Sequence, residues 1–284
     1  MTILNSENEN KVYIEYYITM SCPNRCPYCF VLDELNNDKL VDKSVFENTN
    51  NSIKNFKKQN PEKEILVSLL GGDCFSVPDY TIKFCKELYA IAEINLFSNL
   101  NYDPNGIEIE LMQKYLLDTN IILTLSWHES SNQKWVKENI LKFNKNLRVT
   151  WVISDKNLIQ HYNDFNWLKE NTNIEYSIEP MKTNKSGISF TNFKNNLYIE
   201  MMKESLNQKI GFGLENEEMK KIALNKLTIC RCSNIRIKYN GDIDSFCNFP
   251  TNWGNIKDGL PQIKDVFCRY NCDCTVLNYK KIGN

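Results

Sequence analysis

Three cysteines fall within the ten residues of SCPNRCPYCF, at Cys22, Cys26 and Cys29. Four thiolates close a tetrahedral zinc site or cap the irons of a cubane, so three leave one metal corner for a different ligand. That open corner is the chemical content of the loop, because a small molecule can bind a metal that the protein has not saturated. The spacing lets one short loop reach three corners of a small cluster, since a few residues already span more than its width. The non-catalytic alternatives are a structural zinc knuckle and a chance group of buried thiols.

A second set follows near the other end: Cys230, Cys232, Cys247, Cys268, Cys272 and Cys274, while Cys74 and Cys85 stand apart. The total of eleven is odd and cannot pair fully, which fits thiolates in a reducing compartment better than disulfides. Taken alone, the second set reads equally well as a zinc ribbon. Lys plus Arg number 34 against 35 acidic residues, so no basic excess points to duplex nucleic acid. The start, MTILNSENENKVYI, has no basic flank and apolar run, and no apolar stretch reaches about 18 residues. The expectation is a cytoplasmic protein with no membrane partner.

These thiols need elements to position them. The 284 residues are 42% apolar and 24% charged, as a folded globular chain should be. VYIEYYIT (12–19) alternates Val12, Ile14, Tyr16 and Ile18 with a second face, which predicts a strand leading into the cysteine loop. Apolar runs at 64–70, 94–97, 121–127, 147–153 and 174–179 supply five more strand candidates. Phe84, Leu88 and Ile91, then Val136, Ile140 and Phe143, recur at helical spacing, and 189–209 reads as a last long helix. Strand–helix units in series predict an α/β chain with a partial (β/α)6 TIM-like barrel over 1–215, whose ligands sit at the carboxyl ends of the strands. Residues 216–284 form a second unit in this reading, with a hairpin at 235–246 turning on Asn240–Gly241 in a two-residue loop. Counting back from that turn sets Cys247 opposite Asn234, near Cys232.

CPNRCPYC resembles the CxxxCxxC loop of the radical S-adenosylmethionine (SAM) superfamily, placed as there after the first strand. The resemblance implies that Cys22, Cys26 and Cys29 hold a [4Fe–4S] cluster whose fourth iron binds the amino and carboxylate groups of SAM. It further implies reductive cleavage of SAM to a 5′-deoxyadenosyl radical that abstracts hydrogen from an unactivated C–H bond. LLGGDC (69–74) stands where the family has Gly-Gly-Glu, which assigns Gly71, Gly72 and Asp73 to SAM, with Asp73 one methylene shorter than the usual Glu. Ser98, Asn99 and Ser126 stand where relatives place further SAM contacts; Tyr28 is assigned to the cofactor with them, and His128, after the fourth strand, is a candidate to hydrogen-bond SAM or substrate, weighed against a structural role. The second cysteine set, with the Gly241 turn and WGNI (253–256), resembles the SPASM/twitch extensions of that superfamily, a small unit of hairpin plus helix. That implies one auxiliary [4Fe–4S] cluster held by Cys247, Cys272, Cys274 and one of Cys230 or Cys232, with Cys268 as an alternate.

Relatives with such extensions modify peptides or oxidise and epimerise small molecules such as aminosugars, and a flavodoxin or ferredoxin supplies the electron. Peptide modification stands first here. Only about eleven residues precede the expected first strand, so no amino-terminal peptide-recognition domain is expected. Cys74, at a strand end, is a candidate hydrogen donor to a substrate radical, weighed against a packing role. Cys85 sits beside Phe84 and Leu88 and reads as core.

Overall fold

The computed structural model describes residues 2–6, 11–29, 31–35, 40–117, 119–153, 157–180, 196–197, 200–201, 228–231, 234–245, 252–261, 265–268 and 279–281. Six strands run parallel and in chain order: β2 (Lys11–Thr19), β3 (Glu64–Gly71), β4 (Glu93–Ser98), β5 (Ile122–Trp127), β6 (Leu147–Ile153) and β7 (Glu175–Pro180). They match the six expected runs to within a residue or two. Helices α1 (Lys43–Gln59), α2 (Pro78–Leu88), α3 (Ile107–Leu116), α4 (Gln133–Phe143) and α5 (Leu158–Asn171) fill the successive crossovers. This is the partial-barrel arrangement that the strand–helix rhythm predicts.

Alternation decides which side of the sheet faces the helices. Val12, Ile14, Tyr16 and Ile18 are buried and join a core with Phe46 and Ile53 of α1 and Phe84 of α2. At the far side Trp127 and Trp151, register partners on β5 and β6, stack with ring centroids 4.3 Å apart. The α1 start is capped by Asp42, whose carboxylate accepts from Ser44 N at 2.7 Å, and Pro78 opens α2, where its missing N–H costs nothing. The opposite strand face is polar at mid-height. Glu15, Ser68 and Asn95 lie in one register row across β2–β4, and Thr150 pairs with Ser177 across β6 and β7. A barrel interior is ordinarily filled by bulky aliphatic side chains, so this polar row marks a wall suited to a ligand.

The carboxyl-terminal hairpin extends this sheet directly. β9 (Asn234–Ile237) pairs parallel with β2 and antiparallel with β10 (Asp242–Ser245), followed by β11 (Asn252–Asn255). Its register corrects the expected two-residue turn by one position. Ile237 faces Ile243, Gly241 N donates to Lys238 O at 2.9 Å, and Gly241 takes a φ of +85°. The connection is therefore a three-residue loop closed by a left-handed glycine, a common alternative in which the glycine ends a type I turn. A second correction concerns the first strand, expected at 12–19. Thr2–Ser6 form a strand, β1, between β8 (Thr228–Arg231) and β13 (Tyr279–Lys281), and β12 (Asp265–Cys268) flanks β8. Cys232, Cys247, Cys272, Cys274 and most of the expected 189–209 helix lie outside the described residues. For Cys230 and Cys268 the backbone alone is described: they occupy neighbouring strands, where Cys268 faces Thr228 and Cys230 faces Val266. Among the described residues no helix is long and apolar enough to cross a membrane.

The β9–β2 pairing encloses charge. Arg236 Nε donates to Glu15 Oε2 at 3.2 Å, and Lys238 lies 3.2 Å from buried Asp244. Burial pushes the Glu15 carboxyl from its ordinary 4.5 up to about 7, outweighing the pull of Arg236 in the other direction. The folded protein thus holds this proton more tightly than the unfolded chain does. Its stabilising contribution is full below pH 4.5 and is lost as pH rises to about 7. In urea titrations across that range Glu15→Gln should flatten the pH dependence, removing a fall of up to about 3 kcal/mol.

Candidate cofactor site

The cysteine loop leaves β2 at Thr19 and is shaped by its own backbone and two prolines. Cys29 N donates to Cys26 O at 3.0 Å and Leu32 N to Cys29 O at 3.2 Å, which coils the run past Pro23 and Pro27. Arg25 Nη1 reaches back to the carbonyls of Cys22 and Asn24 at 2.6 and 2.9 Å. Cys26 is buried, Cys22 and Cys29 are half-buried, and Cys29 packs beside Tyr17, Met20 and Val31. Burial pushes the Cys22 thiol up to about 12 and raises Cys26 and Cys29 as well. Cys85 in the core is pushed up equally, so the shift records burial and does not by itself distinguish the loop thiols.

Gly71, Gly72 and Asp73 cross directly beneath the start of that loop. Gly72 N donates to Thr19 O and Asp73 N to Ser21 O, each at 2.7 Å. A Cβ on Gly72 would stand 2.0 Å from Ser21 O, and one on Gly71, whose φ is +111°, 2.3 Å from Thr19 O. Both glycines are therefore required by chain crossing, a reason independent of any ligand. Asp73 is 1% exposed, and its carboxylate accepts from Phe75 N at 2.9 Å, Ser98 Oγ at 3.1 Å and Asn99 N at 2.7 Å. Burial raises its pKa and these bonds oppose the rise. Asp73 thus clamps the end of β3 to the end of β4, with its oxygens turned into the chain.

Beyond Asp73 a series of amides carries the connection back to the loop. Asn99 Nδ2 donates to Cys22 Sγ at 3.3 Å while Asn99 Oδ1 accepts from Asn101 N at 2.9 Å. Asn101 in turn donates to Asn24 Oδ1 at 2.6 Å and accepts from Asn132 N at 2.8 Å. Asn24 Nδ2 meets Ser131 Oγ at 2.9 Å. Between the two amides Leu100 has a φ of +50°, an uncommon conformation for a residue with a Cβ, held by its N–H on Ser98 Oγ at 3.1 Å. From the end of β5, Ser130 Oγ lies 3.1 Å from Cys26 Sγ, and His128 Nδ1 lies 2.9 Å from Tyr28 Oη. Burial lowers the His128 pKa to about 4, so the ring is neutral near pH 7.

The strand ends therefore bring Cys22, Cys26, Tyr28, Gly72, Asp73, Ser98, Asn99 and His128 into one connected region. Ser126 is half-buried on β5, in register with Thr150. Cys74 is elsewhere, which corrects its reading as a hydrogen donor at the mouth. Asp73 caps a 3-10 turn over Cys74–Ser76 that rotates Cys74 into the core, where it is 0% exposed and donates to Phe97 O at 3.1 Å. Cys85 is likewise buried among apolar neighbours. Sequence reasoning missed Asn24, Asn101, Ser130 and Ser131. Their signal was the density of Asn and Ser just past two strand ends, in SNLN (98–101) and SSN (130–132).

No family model matches this chain, and no curated protein matches it by sequence. Solved structures do share the fold. Native anSMEcpe with bound AdoMet and Cp18Cys peptide superposes with a TM-score of 0.59 at 14% identity, covering 87% of this chain and 77% of that one. Native anSMEcpe with bound AdoMet and Kp18Cys peptide gives 0.58 at 14% identity, covering 87% and 78%.

Two substitutions probe how the site is braced. Gly72→Ala must displace a backbone carbonyl rather than a side chain, so thermal or urea unfolding should show a loss of about 3 kcal/mol or more. Asp73→Asn turns one acceptor into a donor facing backbone N–H groups, and should cost about 1–3 kcal/mol in the same measurement.

Proposed function

We propose that this protein is a radical SAM enzyme, with Cys22, Cys26 and Cys29 as ligands of a [4Fe–4S] cluster and SAM at the iron left free. The observation that carries this reading is a loop offering three buried or half-buried thiols, braced from three strand ends, on a fold shared with a protein solved with AdoMet bound. The donor set fits the group. Among the residues whose side chains are described, Cys74 and Cys85 are sealed in the core, which leaves the three loop thiols as the sulfur donors there. When bound, such a cluster supplies the electron that cleaves SAM and yields the radical that abstracts hydrogen.

The chain's own part is to hold and enclose. Gly71, Gly72 and Asp73 keep the loop at a fixed height above β3, and in this reading the carbonyls of that run meet the SAM ammonium group. Tyr28 and His128 brace the middle of the loop from β5. Ser98 and Ser126 stand toward the SAM side of this reading, and the polar row below, with Glu15 and Ser68, is the wall a substrate would meet. Peptide modification is the favoured outcome, supported by the peptide bound to the fold relative anSMEcpe. Oxidation or epimerisation of a small polar molecule such as an aminosugar is the alternative. We further propose a division at about residue 215, with an auxiliary [4Fe–4S] cluster on Cys247, Cys272, Cys274 and one of Cys230 or Cys232, Cys268 being the alternate, and a flavodoxin- or ferredoxin-type reductant in the cytoplasm.

Anaerobically reconstituted protein given dithionite and SAM should form 5′-deoxyadenosine, and Cys26→Ala should abolish it. A protein that retains zinc instead of iron, or an iron–sulfur protein that leaves SAM intact, would defeat the proposal.

A further inference from the structure

Asn99 stands where a SAM contact is expected, yet its side chain addresses a sulfur. The orientation of its amide follows from the bonding. A backbone N–H only donates, so the atom facing Asn101 N at 2.9 Å is the oxygen, and the atom 3.3 Å from Cys22 Sγ is the NH2. Asp73 fixes the backbone of the same residue by accepting its N–H at 2.7 Å. A second donor reaches Cys22 from within the loop, Asn24 N at 3.4 Å. Ser130 Oγ lies 3.1 Å from Cys26 Sγ, and once that sulfur is a metal-bound thiolate it has no proton to give, so the hydroxyl donates.

We infer that Asn99 and Ser130 are positioning residues that set the reduction potential of the cluster by donating hydrogen bonds to the sulfurs of Cys22 and Cys26. This rests on the proposed function above and names a device within the same site. The physics is charge. Uptake of one electron from the external reductant adds one negative charge, part of which falls on the ligating sulfurs, and hydrogen bonds to those sulfurs stabilise the more negative state. Both donors are neutral dipoles. They favour reduction without placing a cation beside the open iron, where SAM brings its own positive sulfonium.

The test is a redox titration followed by electron paramagnetic resonance, on full-length protein reconstituted anaerobically without SAM. The signal of interest is the one absent from Cys26→Ala, which separates it from any auxiliary cluster. Asn99→Ala and Ser130→Ala should each move its midpoint to a more negative value, with the reduction equilibrium falling roughly threefold to tenfold per lost bond. The double variant should move further, and Ser130→Thr, which keeps the hydroxyl, should stay near the wild-type value. Ser130 is exposed, so its substitution leaves folding undisturbed and decides the matter even where Asn99→Ala loads poorly. An unchanged midpoint in either loaded alanine variant overturns this inference and leaves the proposed function standing. A wild-type protein with no Cys26-dependent signal overturns both.

Discussion

The site depends on two backbone strands passing at hydrogen-bonding distance: Gly71–Asp73 beneath Thr19–Ser21. At that separation there is no room for a Cβ, since even the smallest side chain would enter the shell of a carbonyl oxygen. Two N–H groups that would otherwise be orphaned at the end of β3 are satisfied by the first carbonyls of the cysteine loop. The position of Cys22 is thereby referred to a parallel sheet whose own geometry is rigid. Everything else that touches the loop adds orientation to a height already set.

From that crossing the bracing spreads sideways in order of strand. Asp73 ties β3 to β4 through Ser98 and Asn99, the amides tie β4 to the loop, and Ser130 and His128 tie β5 to it. Each bond is modest in net worth, about 1 kcal/mol, but a buried amide or carboxylate left without its partner costs more than the bond gains. The arrangement is therefore mutually enforcing: the strained Leu100 backbone persists because the groups on both sides of it would lose partners if it relaxed.

This division explains what the sequence revealed and what it concealed. The six barrel strands were legible because each pairs a buried apolar face with a contrasting one at a period of two, a purely local property. The three loop cysteines were legible because their spacing is itself local. The partnership of Asn24 with Asn101 and Ser131, or of Asn99 with Cys22, joins residues 77 to 107 positions apart, and no pattern within either segment announces it. Cys74 was misplaced for a related reason. Extrapolating a strand past Gly71 aims it at the mouth, whereas the Asp73 cap turns the chain into a tight helical turn and reverses its direction. The hairpin went astray by one position because Asn-Gly suits a two-residue loop and equally supplies the left-handed glycine that closes a three-residue one. Thr2–Ser6 offered too short a pattern to compete as a strand on its own, and are recruited by partners at the far end of the chain.

The surroundings of the thiols follow a consistent electrostatic logic. Their burial disfavours bare thiolates, so the loop is not poised to act as a free nucleophile. The groups aimed at the Cys22 and Cys26 sulfurs include the Asn99 amide, the Asn24 backbone N–H and the hydroxyls of Ser130 and Tyr28. A lysine or arginine in those positions would have compensated the thiolates by itself and competed with a metal for them. Neutral donors compensate such charge only in part. The same choice recurs below, where the barrel wall presents hydroxyls and amides, and Glu15, Arg236, Lys238 and Asp244 are paired with one another across β2, β9 and β10. A wall of this kind offers directional hydrogen bonds rather than net charge.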